Sequence, residues 1–266
     1  MSYRTKRDAE EAAEAATQET KRVKSAMNTI ADEYVCPISQ ELPLDPVMAE
    51  DGKIYERADI TTWLASNRRS PITNEQIGDR LLPATQVRNM IEQLVRSGAI
   101  EGDEAVRWKQ KLQDEKQLKE LRAKAEADDG DAIHDIGIAY SFGLFGLAIS
   151  MPEARSWFLR GANNNPRCMA RAGEFLLKGL GGAAKTAHGL LLTSRAADDI
   201  DRAAYCLGLA YMRGLWGLDK DLEQAKYWLQ KTASGSCRIS ISSQLREKAI
   251  QAIKLLEEVT SPSQGR

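Results

Sequence analysis

Histidine is almost missing from this chain of 266 residues, and cysteine is scarce. The two histidines, His134 and His188, lie far apart, with no His-x-x-x-His. The four cysteines, Cys36, Cys168, Cys206 and Cys237, form no Cys-x-x-Cys pair. Zinc sites need such close ligand pairs, so no metal site and no cofactor is expected. The thiols also lack the spacing of a disulfide framework, which points to a reduced, intracellular setting, cytoplasmic or nuclear. No activating signature surrounds any thiol, so covalent cysteine catalysis is not expected either.

An excess of one charge is missing as well, since the formal net charge is −1. Bulk electrostatics therefore gives no case for nucleic acid or for an anionic membrane. Uninterrupted apolar runs stay far short of the roughly 18 residues that a membrane span requires. Arg4, Lys6, Arg7, Asp8, Glu10 and Glu11 open the chain with no apolar stretch behind them, so no secretory signal is expected.

What is present has an ordinary soluble balance, 42% hydrophobic and 28% charged, in a length that suits one or two buried cores. Residues 1–31 are rich in Ala, Glu, Lys and Arg, with only Val23, Met27 and Ile30 at helical spacing. A charged, solvated helix or a disordered segment is expected there. Residues 32–98 change texture, with Pro37, Pro43, Pro46, Pro71 and Pro83 between short apolar runs. "GKIYER" (52–57) predicts a small hairpin turning at Gly52. "ADITTWLASN" places Ile60, Trp63 and Leu64 on one helical stripe, closed by Asn67 in the left-handed conformation. "SPIT" (70–73) predicts an extended loop, because the residue before proline avoids helix. "TQVRNMIEQLVRSG" predicts a helix capped by Thr85, with Val87, Met90, Ile91, Leu94 and Val95 on one face and a stop at Gly98. Residues 99–127 read as a charged connecting helix marked by Trp108, Leu112, Leu118, Leu121 and Ala125.

Beyond it the chain repeats itself. "IGIAYSFGLFGL", "AGEFLLKGLGGA" and "LGLAYMRGLWGL" align Gly137, Gly173 and Gly208, then Gly143, Gly179 and Gly214, then Gly146, Gly182 and Gly217. Ala154 and Trp157 answer to Gly189 and Leu192, and to Ala225 and Trp228. A period near 35 residues with two helical halves predicts an α-solenoid over 128–258. The first glycine lets two helices approach, and the later pair lets the chain reverse. The middle unit departs at Leu176 and Leu192 and is expected to pack less regularly. Leu245, Ile250, Ile253, Leu255 and Leu256 predict a capping helix over 242–258, followed by a disordered tail, 259–266.

The "LG.AY..G" and "A..W" units resemble the Sel-one-like repeat, a relative of the tetratricopeptide repeat, which implies a protein-binding scaffold. The stretch 32–97 resembles the U-box, the zinc-free relative of the RING domain in ubiquitin ligases. The resemblance rests on "CPIS" (36–39), "EL" (41–42), "DPV" (45–47), "G.IYER" (52–57), "I..WL" (60–64), "PIT" (71–73) and "L.P....R..I" (82–91). The chain departs from the family at Ile54 and at Ala84, where a side-chain hydrogen-bonding group is lost. The fold class so implied is mostly α with a small α+β domain, a U-box of ββα form plus a C-terminal helix, followed by the solenoid.

The U-box resemblance implies an enzyme of the RING type that forms no covalent intermediate with ubiquitin. It would dock a ubiquitin-charged conjugating enzyme through Ile38, Trp63 and Pro71. Asn74 stands where active family members carry an orienting Arg or Lys. Salt bridges and hydrogen bonds would replace the metal ions of a RING, with Glu41, Asp45, Arg57 and Thr73 as the leading candidates beside Asp51, Glu56, Asp59 and Arg68. A protein substrate or adaptor would occupy the repeats, and self-association of two copies through the U-box is a further expectation. Two rival readings remain. One is a scaffold without ligase activity, favoured by Asn74. The other is a chaperone adaptor that clamps an acidic C-terminus, disfavoured because the alignable positions supply only Arg171, Lys178 and Arg202.

Overall fold

The computed structural model describes residues 33–240 and 243–260, together with 13–15, 17–19 and Arg22. Residues 13–15, 17–19 and Arg22 are helical and exposed, as a solvated helix should be. Val23, Met27 and Ile30 lie outside the described residues, as do 261–266 of the expected tail. Two compact units emerge, Met1–Gln113 and Asp114–Arg266.

The first unit is built on a three-stranded antiparallel sheet in the order β2-β1-β3. Strand β1 (Pro46–Met48) pairs Val47 with Tyr55 of β2 (Ile54–Glu56) and with Pro83 of β3 (Leu82–Pro83). Gly52 turns the β1–β2 hairpin at φ 73°, in the region open to glycine. Helix α1 (Arg57–Ser66) follows at once. Asn67 closes it in extended backbone, φ −132°, and not in the expected left-handed form. That exit carries the chain to Arg69, whose carbonyl accepts the Trp63 indole N–H at 2.8 Å. Helix α2 (Thr85–Arg96) starts one residue earlier than expected: Ala84 holds the cap position with no side-chain bond, while its N–H still serves the sheet through Pro46 O (2.8 Å). Ile91 and Val95 are buried on α2, but Met90 at the stripe's edge is exposed.

Two apolar clusters fill this unit. Cys36, Val47, Ala49, Tyr55, Ile60 and Ile77 form one, with Ile38, Leu64 and Leu81 packed on it. Cys36 is thus a fully buried core residue. The second cluster joins Leu42, Ile91 and Val95 to Trp108 of helix α3 (Asp103–Glu126). The apolar marks of α3 therefore divide: Trp108 and Leu112 pack in the first unit, Leu121 and Ala125 in the second.

The second unit stacks three helical hairpins: α4 (Gly130–Phe142) with α5 (Met151–Gly161), α6 (Pro166–Lys178) with α7 (Thr186–Ala196), and α8 (Asp201–Arg213) with α9 (Leu222–Ser234). The first helices α4, α6 and α8 touch in succession. A Cβ at Gly137 would lie 2.5 Å from the Phe158 ring, and one at Gly173 would lie 2.4 Å from Thr193 Oγ1. Only glycine permits helices that close. Gly143, Gly179 and Gly214 end the first helices at φ 69°, 68° and 66°. The middle repeat is not loosely packed, because Leu176 and Leu192 lie inside the largest core cluster. Its departure is in the turn, where Gly181 replaces the Phe145 and Trp216 of its neighbours; a Cβ there would sit 2.3 Å from Met151 O. Helix α10 (Ser243–Thr260) closes the stack through Ala249, Ala252 and Leu256. Ile250 and Leu255, expected in the cap, fall off that stripe and are exposed.

Candidate functional site

Two loops and helix α1 of the first unit carry the docking residues that the sequence singled out. The first loop is pinched at its base, Cys36 N–H donating to Glu41 O (2.9 Å) and Gln40 N–H to Cys36 O (2.8 Å). Gln40 takes φ 57° to make the turn, which lifts Ile38 and Ser39 at its tip. Ile38 is half-buried, its inner side on the core cluster. The second loop is closed by an antiparallel bridge between Arg69 and Gln76. Within it Ser70 N–H donates to Glu75 O (2.9 Å) and Asn74 N–H to Ser70 O (3.1 Å). The "SPIT" stretch is therefore a compact turn, not the expected extended loop. Ser70 Oγ enforces this by accepting the N–H groups of Ile72 (3.1 Å) and Thr73 (2.9 Å).

The apolar residues are presented to different degrees. Pro71 is half-buried and Trp63 is 37% exposed, its ring held beside the second loop by the bond to Arg69 O. Ile72, which sequence reasoning passed over, is 52% exposed. Its signal was available: an aliphatic residue directly after the proline of a polar loop. Asn74 is exposed with φ 60°, a conformation that Asn accepts more readily than most side chains. The Arg69 guanidinium donates to Asn74 O at 2.9 Å, so a cation does stand beside Asn74.

A polar network joins the loops to the hairpin, with Asp51 at its centre. Its Oδ2 accepts from Ser70 Oγ (2.6 Å) and Tyr55 Oη (2.8 Å), and its Oδ1 from Lys53 N–H (3.0 Å). Burial pushes the Asp51 carboxyl up, yet these donors outweigh it and hold it below the usual aspartate range. Burial also raises the Tyr55 phenol, with Asp51 adding to the effect. Glu56 Oε2 accepts the N–H groups of Leu44 (2.7 Å) and Asp45 (3.1 Å), tying strand β2 to the first loop. Arg57 meets Asp45 through Nε (2.6 Å), a pair left well exposed. Cys36 Sγ contacts Asp59 (3.5 Å), and Arg68 contributes its carbonyl to Ile77 N–H (3.3 Å). Thr73 Oγ1 bonds locally, to Glu75 N–H (3.4 Å).

Glu41 finds its partners on α3. Lys111 binds it directly and Arg107 lies 3.7 Å away. The Lys111 hydrogen bond lowers the Glu41 pKa against the opposing effect of burial. Trp108 Nε1 donates to Pro43 O (3.2 Å), so α3 fastens the first loop at two points. Ser70, Tyr55 and the α3 partners were missed from sequence. A lone tryptophan on a charged helix was the legible hint.

The arrangement offers stiff loops bearing apolar tips and no reactive group. Among the described residues, no three His, Cys, Asp or Glu side chains converge as a metal site would require. Burial pushes the Cys168 thiol up to about 12 and the Cys206 thiol up to about 11, the reverse of an activated nucleophile. Burial likewise lowers the His134 pKa. Among the described residues, no helix is long and apolar enough to cross a membrane.

Comparison with known families places these features. Residues 30–98 match the U-box domain, and 130–166, 166–199 and 201–237 each match the Sel1 repeat. The chain carries a U-box followed by three Sel1 repeats. It is 39% identical over 70 residues to the human WD repeat, SAM and U-box domain-containing protein 1, a match covering 26% of this chain and 15% of that protein. It is 40% identical over 75 residues to the rice E3 ubiquitin-protein ligase SPL11, covering 27% of this chain and 11% of the relative. The chain thus spans a small part of the curated relatives it matches. Among solved structures, a Sel1 repeat protein from Oxalobacter formigenes shares 29% identity at a TM-score of 0.40, over 44% of this chain and 90% of that one.

Proposed function

We propose that the protein is a ubiquitin ligase that docks a ubiquitin-charged conjugating enzyme on its U-box and holds a protein substrate or adaptor on its Sel1 repeats. One observation carries the reading: two loops, fixed through Asp51, Ser70 and the α3 contacts, present Ile38, Pro71 and Ile72 beside Trp63 of helix α1, with no metal ligand among them. A few central apolar residues dominate such interfaces. Its catalysis is orientation, in which a loaded thioester is held in a reactive geometry. Asn74 is a weak version of the orienting cation, since a neutral amide gives about half the hydrogen-bond strength of a charged group. Arg69, anchored on the Asn74 carbonyl, supplies the nearest positive charge. Joining both modules in one chain raises the effective concentration of substrate lysines at the thioester. An intracellular setting goes with this reading, and the scarcity and scatter of cysteine support it.

The test is a reconstituted reaction with activating enzyme, a panel of conjugating enzymes, ubiquitin and ATP. Wild type builds chains. Ile38→Ala costs about 2 kcal/mol of docking, roughly 30-fold in apparent affinity. Asn74→Arg raises the turnover of docked enzyme, while an Arg at positive φ costs the loop about 1–2 kcal/mol. Arg69→Ala lowers turnover without weakening docking. A folded protein that builds no chains with any conjugating enzyme rejects the ligase, and leaves the scaffold that the uncharged Asn74 favours.

A further inference from the structure

The second unit contains a concentration of positive charge that the ligase reading does not use. On the face shared by α6 and α8, the single carboxylate of Glu174 holds three cations. Arg202 grips it through Nε (2.7 Å) and Nη2 (3.2 Å), Lys178 Nζ reaches it at 2.7 Å, and Arg171 Nη1 at 3.5 Å. Only 13% of the Glu174 side chain and 17% of the Arg171 side chain are exposed. Burial alone would raise the Glu174 pKa, yet the bonds from Arg202 and Lys178 hold it down to about 2. Burial and the like charge of Arg202 pull Arg171 down. One anion among three partly desolvated cations leaves positive charge uncompensated, which is costly away from water.

The cluster lies between two cavities that share Ala170 and Arg202. One, of about 260 Å³, is lined by Arg167, Arg171, Ile239 and Ser240, beside His134. The other, of about 420 Å³, is lined by Lys178, Arg213 and Lys248 and by the apolar walls of Leu209, Trp216 and Leu245. Together their walls hold Arg167, Arg171, Lys178, Arg202, Arg213 and Lys248 against Glu174 alone, in a chain whose net charge is −1. Asp131, 3.9 Å from Arg167, offsets only that rim, Asp135 is engaged by His134 (3.0 Å), and buried Asp201, which accepts from Ser240 Oγ (2.9 Å), offsets part of the Arg202 charge.

We propose that this groove binds an extended segment of a partner protein in which side-chain carboxylates alternate with apolar residues. The guanidinium forks of Arg171 and Arg202 match a carboxylate in shape, and an incoming acid neutralises charge that Glu174 leaves over. The apolar walls beside Trp216 receive the neighbouring side chains, surface that a small inorganic anion would leave wet. The proposal rests on, and deepens, the partner-holding role of the repeats. Its test needs no ubiquitin component, so a failure of the ligase reading leaves it standing.

The probes are fluorescein-labelled, C-terminally amidated peptides alternating Glu with Leu, their Gln–Leu counterparts, and phosphoserine–Leu versions, titrated into the full chain. The Glu–Leu peptide binds, with an affinity that falls as salt rises. The Gln–Leu peptide binds at least about tenfold more weakly. Arg171→Gln and, separately, Lys248→Glu each weaken Glu–Leu binding about tenfold; Lys248 is exposed, so its variant keeps the fold. Equal binding of the Gln–Leu peptide overturns the proposal, as does preference for phosphoserine–Leu. So does an affinity that both Lys248→Glu and Arg213→Glu leave unchanged.

Discussion

The U-box and the repeat array solve the problem of holding a chain in shape by opposite means. The U-box has three short strands, and its loops depend on a polar node: Asp51 bonded to Ser70 and Tyr55, Glu56 to the first loop, Glu41 to α3. The array depends on contact distance, with glycines admitting Phe158, Thr193 and Leu229 where a methyl group would collide. Polar nodes fix loops whose tips are left partly exposed. Close packing fixes helices at contact distance. The array has a charged node too, at Glu174, and that is where its unabsorbed charge collects.

Variants can break this contrast, and the largest effect is expected at Asp51. Asp51→Ala strips the acceptor from Ser70, 3% exposed, and from fully buried Tyr55, and should cost about 3 kcal/mol. Hydrogen exchange should show the loss in β1, β2 and the second loop, with α4–α9 unaffected. Loss spread evenly over both units would end the contrast.

Acid should expose the charged node of the array. The Glu174 pKa is depressed from 4.5 to about 2, so its stabilisation is full above 4.5 and is lost as the pH falls toward 2. The loss is at most roughly 3 kcal/mol. Urea midpoints measured across that window should fall more steeply in wild type than in Glu174→Gln. The same variant, with its cations released, should bind the Glu–Leu peptide more tightly.

Gly173→Ala tests close packing. Its Cβ would meet Thr193 Oγ1 at 2.4 Å and Thr193 N at 3.0 Å, and no rotamer relieves a backbone contact. About 2 kcal/mol should be lost in thermal unfolding. The smallest effect is expected at Arg57→Ala, which breaks an ion pair with Asp45 that is 39% and 48% exposed on its two sides. Less than about 1 kcal/mol should follow, and less still at high salt. A larger loss would mean that salt bridges, not the Asp51 hydrogen bonds, hold the loops.

Gly52, the stripe of Ile60 and Leu64, and the glycine register of the repeats were legible, because turns and helix faces are set within a few residues. Asn67, Thr85 and "SPIT" were misjudged at their boundaries. There a distant demand prevailed: the Trp63 indole on Arg69 O, the Ala84 N–H on the sheet, the Ser70 hydroxyl between Asp51 and its own turn. Ile250 and Leu255 were counted with the cap because hydropathy alone does not phase a stripe. The Arg171–Arg202 cluster was read as too sparse for an anion site, since its members come from different repeats.

By itself the sequence determined the two modules, the phase of the repeats, the loops that carry Ile38 and Pro71, and the helix that carries Trp63. Backbone preferences and helical periods act over one or two turns, and a chain states them locally. Only the tertiary structure decided that Asp51 and not Thr73 is the central loop node, that Glu41 reaches Lys111, and that one glutamate gathers three cations. Charge pairing depends on separation and burial in three dimensions, and residues 28 positions apart, such as Glu174 and Arg202, acquire both only when the helices stack.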